Sequence, residues 1–385
     1  MKTVILHVGR HKTGTSSLQS FFSVNRRVLS ECGIFYPHTG VRNNAHHIVA
    51  ESFSGGRVKL DQSNASPLES QLVKDLREEI ASADEPIALV SSEAFQNVNP
   101  KLVAEIFSGF RLKVVMYLRE QSLYLRSAYA QRVHATNMTL SLAEYYQKTF
   151  LGSSDYLTYL NRWKSIFGES LDVLSYERSA LKNESIIDDF VDRYLHACAE
   201  DPRLVYPENV NPSLSETYLY YKLFLNHFIP DGMNVSGLYQ RLGGLSEAAG
   251  PEDSYRLSKA MVSNVVAAHC DSNIEVASQY FGQAELFERF ERPRESTARR
   301  PFPLTEEKVA EITRMLLDDL PGLQPLIGDG TAFFYGQKTR QVLKKIRDQF
   351  LADYDGPESV LKRLLKDAWS RVVRIKREYL EGRKV

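Results

Sequence analysis

The chain has 385 residues and balanced charge, with 48 Lys and Arg against 48 Asp and Glu. Its 43% hydrophobic and 25% charged residues are typical of a globular protein, which excludes extended disorder and fibrous repeats. A net charge of zero argues against a dedicated nucleic-acid binder, so no nucleic-acid partner is expected.

Two further features of the sequence bear on the compartment. No run of about 18 uninterrupted apolar residues occurs, and Met1 leads directly into an apolar strand pattern rather than a signal peptide. The cysteines, Cys32, Cys198 and Cys270, are widely spaced and form no zinc or disulfide pattern. We therefore expect a cytoplasmic protein with buried thiols.

The most informative stretch is the first twenty residues, MKTVILHVGRHKTGTSSLQS. Residues 3–8 are a β-branched apolar run, typical of a buried strand, and the pattern becomes helical from Thr15. Two glycines, a histidine and Lys12 lie between them. A strand, a glycine-bearing loop and a hydroxyl-rich helix start form a phosphate cradle, because backbone N–H groups and the helix dipole attract an anion there. We therefore predict a nucleotide-phosphate site.

The residue order in this loop separates it from the common ATP and GTP loop. That loop needs G-x-x-x-x-G-K-[ST], whereas here Lys12 precedes Gly14 in HKTGTSS. The order resembles the loop of sulfotransferases that use 3′-phosphoadenosine 5′-phosphosulfate (PAPS), and HVGRHKTGTSSLQ resembles the opening of the bacterial sulfotransferase family. The resemblance implies that Lys12 contacts the 5′-phosphate and the bridging oxygen. It also implies donor contacts from Arg10, His11, Thr13, Gly14, Thr15, Ser16 and Ser17.

A second segment carries the same resemblance. Residues 113–118 form another apolar run, and Arg119 stands at its end, opening a helix that carries Ser127. This pair resembles the 3′-phosphate site of sulfotransferases, where an Arg and a Ser at this spacing hold the extra phosphate of PAPS. The spacing is about two helical turns, so both side chains can share one side. Taken singly, each residue is equally well explained as a solvated helix position.

The order of elements predicts an α/β fold, with a P-loop-like parallel β-sheet flanked by helices and a mainly α-helical C-terminal half. Ligands of such sheets collect at the carboxyl ends of the strands, where the loop, Glu93 and Arg119 all fall. Strands are predicted over 3–8, 33–36, 87–90, 113–118 and 171–174. Helices are predicted from 15 and over 67–83, 101–107, 142–148, 156–167, 184–197, 214–228, 254–268, 273–281 and 304–316.

Three consecutive segments are predicted from these patterns. Residues 1–200 form a PAPS-binding core, residues 201–337 a helical part of the same domain, and residues 338–385 a basic amphipathic helical extension. The phrases VNPSLS and SNIEVASQYFGQAELF also resemble later parts of bacterial sulfotransferases. The extension carries 14 Lys or Arg against 7 Asp or Glu. We expect it to pack on the body or on a second copy; the alternative is contact with an anionic membrane or an acidic polysaccharide.

Three residues are candidates for the base that takes the acceptor proton. His46 and His47 lie in the polar segment NNAHHIVA, and a neutral imidazole has a suitable pKa. Glu93, which follows the apolar run 87–90, is the rival, although a carboxylate at a helix start is also stabilised by the dipole. Tyr176 resembles a family position near the adenine, and a tyrosine at a strand end is also commonly part of the core.

The resemblance implies a PAPS-dependent O-sulfotransferase that transfers a sulfuryl group to a hydroxyl by in-line displacement. The acceptor is expected to be a carbohydrate, a glycolipid or another small hydroxylated molecule. PAPS is the expected co-substrate, 3′-phosphoadenosine 5′-phosphate (PAP) is its product, and no metal is expected. Two alternatives stay open: a P-loop kinase-like enzyme, and a protein that binds nucleotide phosphates without catalysing transfer.

Overall fold

The structure is a computed structural model that describes residues 1–10, 12–53, 66–207, 214–230, 233, 237–288, 290–291, 301–327 and 331–354. His11, most of the phrase VNPSLS and the basic extension beyond residue 354 lie outside the described residues. The sequence predictions made for them therefore stay predictions.

The described residues form five strands and seventeen α-helices. The strands are β1 (Thr3–His7), β2 (Ile34–Phe35), β3 (Ile87–Ser91), β4 (Arg111–Leu118) and β5 (Leu171–Ser175). The helices are α1 (Thr15–Val24), α2 (Arg26–Glu31), α3 (His47–Glu51), α4 (Gln71–Ser82), α5 (Pro100–Ile106), α6 (Gln121–Ala135), α7 (Leu142–Tyr145), α8 (Leu151–Ser153), α9 (Tyr156–Phe167), α10 (Ile186–Tyr194), α11 (Glu216–Asn226), α12 (Leu238–Ala248), α13 (Lys259–Val276), α14 (Glu306–Asp319), α15 (Gln324–Ile327), α16 (Thr331–Tyr335) and α17 (Gln337–Tyr354).

The five strands form one parallel sheet in the order β2-β3-β1-β4-β5. In the central strand, Thr3 pairs with Ile87 on one side and with Arg111 on the other. The chain order reverses across β1, and ligands of open parallel sheets bind outside the carboxyl ends of the strands at such a point. The predicted α/β fold with a parallel, helix-flanked sheet is confirmed.

The chain divides into two compact units built from interleaved segments. The first unit comprises Met1–Glu120, Tyr156–Asn209 and Glu275–Arg289, and the second comprises Gln121–Asp155, Val210–Ile274 and Phe290–Val385. The sheet lies in the first unit, and the described part of the second unit contains helices but no strand. The predicted division into three consecutive segments stays a prediction.

In the first unit the sheet is covered on both faces, as its continuous apolar strand patterns require. Val4 and Leu6 pack in a core with residues of α4, α5 and α9, whereas Ile5 packs with residues of α1 and α10. This alternation follows the two-residue period of a strand. The second unit has its own core, in which aromatic residues of α11 such as Tyr221 and Phe224 are buried.

The predicted break between residues 268 and 273 is wrong. Residues Lys259–Val276 form one helix, which continues as the π-helical turn Ala277–Phe281. No glycine or proline interrupts this stretch, so nothing in the backbone ends the helix earlier. By contrast, the helix predicted over 156–167 has those bounds in the structure. No helix among the described residues is both long enough and apolar enough to cross a membrane.

Candidate functional site

The loop that joins β1 to α1 is tightly folded. Lys12 and Gly14 both have left-handed backbones, with φ of +69° and +72°. A Cβ added at Gly14 would lie 3.0 Å from both Tyr176 and Ile186. A Cβ added at Gly9 would lie 2.1 Å from Cγ2 of Thr15. Both glycines of the predicted phosphate loop are therefore required by the close approach of neighbouring side chains.

Hydrogen bonds hold the loop in this shape. The Thr13 hydroxyl donates to the carbonyl of Arg10 at 2.6 Å, and Nη1 of Arg119 donates to the carbonyl of Lys12 at 2.7 Å. The hydroxyl of Tyr156 donates to the carbonyl of Arg119 at 2.5 Å. Arg119, at the end of β4, therefore reaches the predicted phosphate loop that follows β1.

Arg10 is buried rather than turned to solvent. Its side chain is 4% exposed, and its guanidinium carbon lies 4.4 Å from the centre of the Tyr159 ring. This cation–π contact fixes the first turn of the loop against α9. The contact that the sequence predicts between Arg10 and a donor stays a prediction.

Helix α1 points its N-terminus into the same region. Its first turn is Thr15, Ser16 and Ser17, without an acidic residue, and Gly14 precedes it without a side-chain cap. The first backbone N–H groups of a helix have no partner within the helix, and they carry the positive end of its dipole. This arrangement favours an anion next to Lys12.

Lys12 is partly buried, and no hydrogen bond from its Nζ is found among the residues that the structure describes. Burial and the nearby charge of Arg119 lower the pKa of Lys12 to about 8, while the charge of Glu93 acts in the opposite direction. A phosphate close to Lys12 and Arg119 would offset both the lost hydration and the repulsion between the two cations.

The three base candidates lie near the carboxyl end of β3, in different surroundings. Glu93 begins the 3₁₀ turn Glu93–Asn97, and its Oε2 accepts a hydrogen bond of 2.9 Å from Nε2 of Gln19. Nε2 of His47 lies 3.9 Å from Oε1 of Glu93. Both side chains are partly exposed, at 16% for His47 and 18% for Glu93.

His46 is fully buried instead. The backbone N–H of Ser91 donates to its Nδ1 at 3.2 Å, and its Nε2 lies 3.2 Å from the carbonyl of Pro37. Burial is the main reason that the pKa of His46 falls to about 4. With both ring nitrogens bonded to the backbone, His46 suits a structural role better than that of a base.

Sequence reasoning missed two residues of this region, Gln19 and His7. Gln19 holds Glu93 by the hydrogen bond described above, and Nδ1 of His7 lies 2.9 Å from Oγ of Ser91. His7 is fully buried, which lowers its pKa to about 4. Gln19 could have been predicted from the sequence. It lies four residues after Thr15, so both side chains lie on the same side of α1.

The other two predicted residues lie in different units. Tyr176 follows β5 in the first unit, its N–H donates to the carbonyl of Leu118 at 2.6 Å, and its ring centre lies 5.7 Å from the guanidinium carbon of Arg119. Ser127 is a residue of α6, in the second unit. The pairing of Ser127 with Arg119 on a 3′-phosphate stays a prediction.

The described residues contain no group of three or more His, Cys, Asp or Glu side chains that could hold a metal ion.

Comparisons with known proteins give few matches. No family model matches the chain. An uncharacterized protein of Archaeoglobus fulgidus is 35% identical over 131 residues, which are 33% of this chain and 34% of that protein. The chain therefore matches only about a third of the length of this curated relative. Among solved structures, the sulfotransferase from Alicyclobacillus acidocaldarius aligns with a TM-score of 0.38 and 18% identity, covering 58% of this chain and 91% of that chain.

Proposed function

We propose that the chain is a PAPS-dependent O-sulfotransferase that transfers the sulfuryl group of PAPS to a hydroxyl. The observation that carries this proposal is the hydrogen bond from Arg119 to the carbonyl of Lys12. It brings a second cation to a phosphate loop whose lysine precedes its glycine, and PAPS differs from ADP and ATP in its 3′-phosphate. The acceptor is a saccharide or glycolipid hydroxyl, as the sequence resemblance implies.

Each part of the transfer has a residue of suitable chemistry. The acceptor oxygen attacks sulfur, the bond from sulfur to the 5′-phosphate oxygen breaks, and its electron pair goes to that oxygen. Lys12 stabilises the charge that develops there, and the N-terminus of α1 holds the 5′-phosphate. Arg119 binds the 3′-phosphate through its guanidinium fork.

Glu93 is proposed as the base, with Gln19 and His47 as its positioning residues. Its carboxylate takes the proton of the acceptor hydroxyl; it is partly exposed, its Oε2 is held by Gln19, and its Oε1 lies 3.9 Å from Nε2 of His47. His46 lacks this access, because it is fully buried between Ser91 and Pro37.

The donor is tested by calorimetric binding of PAP, ADP and ATP to the purified chain without magnesium. We expect micromolar affinity for PAP and negligible binding of ADP, because only PAP presents the 3′-phosphate. Equal affinities for PAP and ADP, or ATP binding that requires magnesium, would contradict the proposal and favour a kinase-like protein.

The base is tested by Glu93→Gln, with release of PAP from PAPS measured in the presence of a saccharide acceptor panel. Loss of a general base typically costs about 10²- to 10⁴-fold in rate, and the isosteric amide should leave PAP affinity within about twofold. His47→Ala should have a smaller effect, because it removes a positioning group. Glu169→Gln, at a side chain that is 97% exposed, is the matched control.

Two results of the same assay would overturn this assignment. If Glu93→Gln turned over at the wild-type rate, another residue would be the base. If the wild-type chain bound PAP but released none from PAPS with any acceptor, the chain would be a nucleotide-phosphate-binding protein without transfer activity.

A further inference from the structure

The second unit contains a cavity of about 180 Å³ that the proposed transfer does not yet use. It lies between α6, α12 and two short segments around residues 215 and 254. Its polar lining consists of Arg126, Ser127, Ser215, Ser246, Ser254 and Tyr255. The lining is thus rich in hydroxyl groups and includes one aromatic ring.

One cation and two carboxylates lie at this cavity. Arg126 is the charged residue of the lining, and its Nη1 lies 2.9 Å from Oε1 of Glu291, whose side chain is 2% exposed. A second carboxylate lies behind the lining, since the Ser215 hydroxyl donates to Asp253 at 2.7 Å. An incoming anion would have to compete with Glu291 for Arg126 and would meet the charge of Asp253, so a neutral ligand fits better.

One lining hydroxyl has no hydrogen-bond partner among the described residues. Ser246 is 5% exposed, and its Oγ forms no hydrogen bond with the residues that the structure describes. Buried polar groups in folded proteins are nearly always hydrogen-bonded, so a partner entering the cavity is expected. There is room beside it, because a Cβ added at Gly250 would have no atom within 4 Å.

We propose that this cavity binds a single neutral saccharide ring. Its volume of about 180 Å³ holds several water molecules, which is room for one sugar ring. Serine hydroxyls can exchange hydrogen bonds with ring hydroxyls, and Ala130 and Leu214 add apolar surface to the lining. That this saccharide is the acceptor of sulfuryl transfer rests on the proposed function, whereas the binding itself does not.

Saturation-transfer NMR tests the proposal with methyl glycosides of glucose, galactose, mannose and N-acetylglucosamine, added singly to the full chain without nucleotide. We expect at least one glycoside to give a signal that Ser246→Leu abolishes, since leucine fills the cavity. Ser246→Ala should weaken the affinity at least threefold while keeping the packing, so the test stands even if the leucine variant fails to fold. Ser153→Ala, on the exposed end of α8, is the control.

Three results would overturn the proposal. They are the absence of a signal from every glycoside, a signal that both Ser246 variants leave unchanged, and calorimetric binding of inorganic sulfate or phosphate alone that Ser246→Ala weakens. PAP affinity of the Ser246 variants should equal that of the wild type. A chain that binds PAP but no glycoside would contradict this inference and leave the proposed donor intact.

Ser127 decides between the two assignments that now compete for it. If it serves the cavity, Ser127→Ala lowers glycoside affinity and leaves PAP affinity unchanged. If it serves the 3′-phosphate instead, the same variant lowers PAP affinity and leaves the glycoside signal unchanged, which would remove Ser127 from the proposed cavity site.

Discussion

Two lysines, one in each unit, have a pKa lowered to about 8 mainly by burial, yet their surroundings differ. Lys222 of α11 donates hydrogen bonds to the carbonyls of Val133 and Thr136 and to the side chain of Asn226. No hydrogen bond from Nζ of Lys12 is found within the described residues. The buried ammonium of Lys222 is thus surrounded by hydrogen-bond acceptors of the protein, whereas the group that opposes the loss of hydration at Lys12 is the charge of Glu93.

The two lysines also differ in the backbone conformation that carries them. Lys222 lies inside a helix, and the carbonyls it binds belong to the last turn of α6 and the residue after it, where a cation is favourable. Lys12 has a φ of +69°, a conformation that costs energy for a residue with a side chain. We infer that Lys222 is a structural cation, whereas the compensation for Lys12 comes from a bound anion.

Exchanging each lysine for methionine gives the largest expected effects. Lys12→Met should lower the rate of PAP release from PAPS by about 10²- to 10³-fold, the usual cost of losing a group that stabilises the departing oxygen. Lys222→Met should leave that rate within about threefold. It should instead lower the free energy of unfolding by about 1–3 kcal/mol, because buried acceptors lose their donor.

The two variants are controls for each other, with rates measured at saturating PAPS and stability by urea unfolding. A Lys222→Met chain as stable as the wild type would mean that its hydrogen bonds do not offset its burial. A Lys12→Met chain with the wild-type rate would remove Lys12 from the transfer.

Arg119 provides the next test, because it is the second cation of the first unit's loop. Arg119→Ala should weaken PAP by about 10- to 100-fold, as a charged hydrogen-bonding pair contributes about 1.5–3 kcal/mol. Arg111→Ala, at the opposite end of β4, should leave PAP affinity unchanged. Calorimetry measures the PAP affinity of both variants. Equal affinities would contradict the assignment of the 3′-phosphate to Arg119.

The pH dependence of PAP affinity tests the charge of Lys12 while Lys12 itself stays in place. Because the pKa of Lys12 is about 8, affinity should be constant near pH 7 and fall by up to about tenfold per pH unit above pH 8, as Lys12 loses its charge. Glu93→Gln removes a charge that raises this pKa, so the fall should begin at lower pH.

The control for this profile is Lys222→Met, which should keep the wild-type pH dependence although Lys222 titrates near the same pH. Calorimetric titrations of PAP between pH 7 and 10 measure all three chains. A wild-type affinity that stayed constant over this range would show that the charge of Lys12 does not contribute to PAP binding.

The difference between the units also explains what the sequence could predict. The strand, the loop and α1 are consecutive, so the glycine positions, the apolar periodicity and the hydroxyl residues at the helix start indicated them without knowledge of the fold. The choice among His46, His47 and Glu93 depends on contacts between distant segments, such as the bond from Gln19 of α1 to Glu93 after β3. Such contacts leave no local pattern.

The second unit was less predictable for the same reason. Its helices follow from apolar periodicity, as in α14, but the cavity combines Ser127 of α6 with Ser246 of α12 and Ser215 beside Asp253. The sequence singled out Ser127 by its spacing from Arg119 and Ser215 within the phrase VNPSLS, but no sequence pattern joins either residue to Ser246. Helical spacing predicts the pair of Lys222 with Asn226, whereas the carbonyls of Val133 and Thr136 reach Lys222 only through packing between helices.

The smallest expected effect is the change in thermal stability of Lys12→Met. Its sign tests whether the protein itself compensates the buried charge of Lys12. The pKa of Lys12 in the folded chain, about 8, lies below the value of about 10.4 for an unfolded chain. The cost of burying its charge is therefore fully present below pH 8 and declines between pH 8 and 10.4, where the unfolded chain binds more protons.

Lys12→Met removes this cost, so at pH 7 it should raise the Tm by about 2–4 °C, the shift that about 1 kcal/mol produces in large domains. The gain should shrink as the pH rises towards 10, because the wild-type chain then recovers the same stability. Thermal unfolding at pH 7 and pH 10 measures both values. A Tm of Lys12→Met below that of the wild type at pH 7 would mean that the protein itself compensates the charge of Lys12, as it does for Lys222.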